Sequence, residues 1–133
     1  MTNDDHSDGL LTGISILVLE DDRDTLDLFA GSLTKLGGTV RKASTVAAAL
    51  TTLATWRPNV ILCDLHMPET DGYAFLASLR AAEILIPVIA ISASHPTVER
   101  DRALEAGFAE YLVKPSRIAE TALVIKKIAK PRA

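Results

Sequence analysis

The chain has 133 residues, 48% apolar and 23% charged, which is the size and balance of one globular domain with a core of its own. Its 14 basic and 17 acidic side chains leave a net charge of −3, which argues against direct binding to nucleic acid through phosphate neutralisation and against a membrane-surface protein. There is no run of about eighteen apolar residues to span a membrane, and the acidic start (Asp4, Asp5, Asp8) is not a secretory signal, so a cytoplasmic location with no membrane partner is expected.

Residues 1–12 are polar, acidic and short of apolar anchors, and read as a flexible tail before a domain at 13–131. Ile14, Ile16, Leu17, Val18 and Leu19 then form an aliphatic run without clean alternation, the pattern of a strand buried on both faces, and it stops at Glu20, Asp21 and Asp22. Leu26, Phe29, Leu33 and Leu36 recur at helical spacing until Gly37 and Gly38 end the helix. Thr39–Ala43 is short and β-like, and Val46, Leu50 and Leu53 share one helical face.

After Pro58, Val60–Cys63 make another buried strand that ends at Asp64; the lone Cys63 reads as a small core residue of a reducing compartment. Pro68, Asp71 and Gly72 mark a turn, and the next helix carries Tyr73, Leu76 and Leu79. Val88–Ile91 end in Ser92. A helix from about Thr97 to Ala106 closes at Gly107, and Tyr111–Val113 end in Lys114–Pro115. The final helix sets Ile118, Ala122, Ile125 and Ala129 on one face. Five strands alternating with five helices predict an α/β fold, a doubly wound parallel sheet with right-handed crossovers.

Polar residues fall where the strands end. In such a sheet the ligand site lies outside the carboxyl ends of the strands, where strand order reverses. With the order 2-1-3-4-5, Glu20, Asp21 and Asp64 share one crevice, and Ser92 and Lys114 close it. Each has an ordinary explanation alone. Asp21, Asp22, Asp24 and Asp64 are candidate helix caps, Ser92 a turn residue and Lys114 a snorkelling strand-end lysine. Together they form a set of parts for phosphoryl transfer. Clustered carboxylates repel unless neutralised, magnesium takes carboxylate and phosphate oxygens, and lysine and serine can hold phosphoryl oxygens. A carboxylate nucleophile then gives an acyl phosphate.

The stretches Ile16–Asp22, Val60–Pro68, Asp71–Tyr73, Val88–Ala93 and Ala106–Pro115 closely resemble the response-regulator receiver family, over roughly residues 13 to 130. The resemblance implies a flavodoxin-like sheet and a signalling domain that catalyses only its own phosphorylation and dephosphorylation. It makes Asp64 the acceptor of a phosphoryl group from a sensor histidine kinase or phosphotransfer protein. Glu20 and Asp21, with Asp64 and the His66 backbone carbonyl, would bind Mg2+, or Mn2+ in its place. Ser92 would contact the phosphoryl group beside Lys114, and the Lys114–Pro115 bond would be cis. Tyr111 is either an aromatic switch that moves inward with Ser92 or a half-buried strand tyrosine. Ser92 stands where threonine is commoner, Ser116 where phenylalanine is frequent, and His66 and Ser94 where the family tunes phosphoryl lifetime.

Two alternatives compete. A degenerate receiver would act as a phosphorylation-independent interaction module, which the complete set of site residues argues against. A haloacid-dehalogenase-type phosphatase would need one more residue between the second aspartate and the threonine of Asp22-Arg23-Asp24-Thr25-Leu26, and its first aspartate directly after the strand. The output surface expected is the fourth helix, last strand and last helix. The downstream effector is a protein the sequence does not name, and a stand-alone regulator and a piece of a hybrid kinase are equally compatible with it.

Overall fold

A computed structural model describes residues 9–68, 71–93, 96–114 and 117–129. Five strands alternate with five helices: β1 (Ser15–Leu19), α1 (Arg23–Lys35), β2 (Thr39–Ala43), α2 (Val46–Thr55), β3 (Val60–Asp64), α3 (Gly72–Ala81), β4 (Val88–Ser92), α4 (Pro96–Ala106), β5 (Glu110–Val113) and α5 (Ile118–Ile128). The strands form one parallel sheet in the order β2-β1-β3-β4-β5. The fold class and strand order expected from the sequence are those of the structure.

The period of two along a strand divides the core. Leu17 and Leu19, Ile61 and Cys63, and Val88 and Ala90 face one layer, where Leu53, Phe75, Leu79 and Ala103 of α2, α3 and α4 meet them. Ile16 and Val18, Val60 and Leu62, and Ile89 and Ile91 face the other, against Leu26 and Leu33 of α1 and Ala122 and Ile125 of α5. Every residue of β3 and β4 is buried, which is why their runs are unbroken rather than alternating.

Local chemistry sets where the helices begin and end. Asp22, Thr45 and Asp71 cap α1, α2 and α3 by accepting from the amides of Thr25 (3.0 Å), Ala48 (3.0 Å) and Ala74 (2.8 Å). After α1, Gly37 takes a left-handed φ of 98° and the Gly38 amide donates to the Leu33 carbonyl (3.1 Å).

Three details differ from the sequence reading. In α2 it is Ala49 and Leu53 that are buried, whereas Leu50 is 39% exposed; the small Ala49 allows the helix to approach the sheet. The fourth helix starts at Pro96. Residues 9–13 form turns rather than a loose approach: Leu11 is fully buried and its amide donates to the Leu36 carbonyl (2.8 Å), so the core reaches back before Gly13.

Candidate functional site

The parallel register brings the carboxyl ends of β1, β3, β4 and β5 to one edge, with Leu19 beside Cys63, Asp64 beside Ile91 and Ser92 beside Val113. Glu20 follows β1 and is held in line by its amide, which donates to the Ala43 carbonyl (3.1 Å). Glu20, Asp21 and Asp64 bring one carboxylate oxygen each within 4.8 Å of one another. Glu20 and Asp64 are buried, at 4% and 5% exposure.

Lys114 is the counter-charge. The Lys114 amide donates to the Ser92 carbonyl (2.7 Å), and its ammonium reaches Glu20 Oε1 at 2.5 Å and Asp64 Oδ2 at 3.3 Å. Burial pulls that ammonium down, but Glu20 and Asp64 outweigh it and hold it above the ordinary lysine value. Burial pushes the Glu20 carboxyl up, against its hydrogen bond from Lys114. Three carboxylates against one ammonium would leave two negative charges, a deficit that a divalent cation could fill, and the donors are the hard oxygens magnesium prefers.

The far wall holds Ser92, fully buried at the end of β4, whose hydroxyl donates to Glu99 Oε1 (3.1 Å). Glu99 lies on α4 at 6% exposure and also meets His66 Nε2 (2.8 Å) and the Tyr73 hydroxyl (3.2 Å). Tyr73 packs edge-on against Phe108, with ring centroids 5.5 Å apart, beneath the Arg102 guanidinium (4.6 Å). Asp64 Oδ1 accepts from the His66 amide (3.1 Å).

Glu20, Asp21, Asp64, His66, Ser92 and Lys114 lie at this edge, whereas Tyr111 pairs with Ala90, two residues before the end of β5. Tyr111 is not half-buried but 4% exposed, set in the layer with Phe108. Asp22 is the α1 cap and also donates its amide to Glu20 Oε2 (3.1 Å). Pro115, and with it the expected cis bond, and Ser94 and Ser116 lie outside the described residues. Glu99 had no signal in the sequence, because Pro96–Ala106 carries no apolar stripe that would mark a buried face, and its Val98 is 79% exposed. Near Lys114 a depression of about 560 Å³ opens between α1 and the start of α5, lined by Leu28, Phe29 and Ile118.

A parallel sheet that reverses its strand order between β1 and β3, with acids, a hydroxyl and a lysine at that point, defines a doubly wound α/β domain with its ligand site on the carboxyl edge. The response regulator receiver domain model matches residues 16–126, and the chain belongs to that family.

Curated relatives include the transcriptional regulatory protein PrrA of Mycobacterium leprae, 36% identical over 124 residues, with 91% of this chain and 53% of the relative covered. Hybrid signal transduction histidine kinase D of Dictyostelium discoideum is 34% identical over 121 residues, covering 84% of this chain and 8% of the kinase. The Francisella response regulator 1452 receiver domain superposes with a TM-score of 0.83 at 30% identity, over 88% of this chain and 97% of that one. The chain spans about half the length of the PrrA proteins it matches.

Proposed function

We propose that the chain takes a phosphoryl group onto Asp64 from a phosphohistidine of a sensor kinase or phosphotransfer protein, and that the aspartyl phosphate resets its α4-β5-α5 surface. The observation that carries this reading is Asp64 itself: a carboxylate at the end of the central β3, 3.3 Å from the Lys114 ammonium and within the three-acid cluster. A carboxylate oxygen of Asp64 attacks phosphorus as the phosphorus–nitrogen bond of the donor breaks, and an acyl phosphate forms. Lys114 neutralises charge on the transferred group, and the Ser92 hydroxyl donates to one of its oxygens. Glu20, Asp21 and Asp64, with the His66 backbone carbonyl, would hold Mg2+ (or Mn2+), which when bound supplies neutralisation of the phosphoryl oxygens. Leu28, 72% exposed beside the depression near Lys114, offers the donor's helix an apolar contact next to the acceptor.

Incubation with acetyl phosphate and Mg2+, followed by intact mass, tests the reading. The parent gains one phosphoryl group; EDTA and Asp64→Asn each abolish the gain. An unmodified parent, under conditions that label a known receiver, would leave the phosphorylation-independent interaction module instead.

A further inference from the structure

Among the described residues, Glu99 is a buried carboxylate that accepts from side chains on three separate pieces of the fold: Ser92 at the end of β4, His66 after β3 and Tyr73 on α3. Its own helix, α4, belongs to none of them. A serine hydroxyl has a single proton to donate. Ser92 gives that proton to Glu99 here, and the same proton is the one a phosphoryl group on Asp64 would need. The two acceptors therefore compete for one donor.

We infer that Glu99 is a positioning residue, a latch on the unphosphorylated state that holds the Ser92 hydroxyl away from Asp64 and couples its release to α4. The inference rests on the phospho-acceptor reading above. Hydrogen bonds to an ionised acceptor are about twice as strong as neutral ones, so the carboxylate charge is what makes the latch effective. When Ser92 turns to a phosphoryl oxygen, Glu99 loses one of its donors, and α4, which carries it, takes up a new balance of contacts. The event at Asp64 reaches the α4 surface through a shared proton donor.

The test is beryllofluoride with Mg2+, a mimic of the phosphoryl group on Asp64, titrated into the full chain. Glu99→Gln keeps the shape and an acceptor oxygen but removes the charge, and is expected to bind the mimic about fivefold tighter, the size of one charge-assisted hydrogen bond becoming neutral. In a Ser92→Ala background the same substitution leaves the affinity unchanged, because no proton is left to contest. A merely structural Glu99 would instead weaken binding on substitution, in both backgrounds. Equal or weaker binding by Glu99→Gln, or the same gain without Ser92, overturns the latch. A parent that does not bind the mimic overturns the phospho-acceptor reading, and the latch with it. Should Glu99→Gln not fold, Tyr73→Phe carries the same test with a gain of about twofold, since it removes one anchor of the carboxylate; no gain there overturns the latch as well.

Discussion

At the residue scale the site is a balance of buried charge. Burial raises the Glu20 carboxyl, so the folded chain holds that proton more tightly than the unfolded one. The stabilisation this gives is present below about pH 4, the ordinary range of a glutamate, and is lost as pH rises through the raised value. At neutral pH the ionised Glu20 therefore weighs against the metal-free fold. Glu20→Gln is expected to raise the melting temperature without metal by about 3 °C, and the further rise expected of the parent with Mg2+ to be lost, both read by thermal unfolding. The sign is the same at the alkaline end for Tyr73, which burial, then Glu99, pushes up to about 12. Its neutral phenol supports the fold fully below about pH 10 and ceases to as pH climbs through the raised value. The phenolate absorbance lost in Tyr73→Phe is expected to develop near pH 12 in the parent. Burial also pushes the Cys63 thiol well above its usual range, so it stays unreactive toward alkylating agents in the native protein and reacts on unfolding.

At the scale of elements, α3 begins close against the end of β3. A methyl group on Gly72 would lie 3.0 Å from the Asp64 carbonyl oxygen, 3.0 Å from Leu65 Cδ2 and 3.1 Å from Cys63 Sγ. Gly72→Ala is expected to cost about 1 kcal/mol in denaturant unfolding, after crowding at the end of β3 is offset by alanine's better helix propensity, and to slow labelling by acetyl phosphate. Gly72 read from the sequence only as a turn signal; its second duty depends on what lies across from it. The same limit explains α4. The strands were readable because β3 and β4 are buried on both faces and show it as aliphatic runs, and the acids at their ends followed from that. Helix α4 exposes Val98 and buries Glu99, because Ser92, His66 and Tyr73 supply the donors from other elements, two of them 26 and 33 residues away in sequence. Propensity and periodicity carry no trace of a partner contributed by another element.

At the scale of the whole molecule, one edge of the sheet is the proposed site of the chemistry and the flank formed by α4, β5 and α5 the proposed output. Hydrogen exchange compared with and without beryllofluoride and Mg2+ is expected to change along α4 and β5, and to leave α2 alone, since α2 packs through Ala49 and Leu53, whereas Ser92 and Glu99 belong to β4 and α4. The strand order carries a further consequence, for synthesis. β1 sits between β2 and β3, and Leu17 pairs with Ile61, so the first strand made waits for a segment more than forty residues behind it. Each later strand adds to the growing edge, and until β4 is available that edge is Val60–Asp64, a stretch wholly buried in the finished domain. A nascent chain halted between α3 and β4 would present bare aliphatic backbone to its neighbours, and such a fragment is expected to self-associate where the complete domain does not.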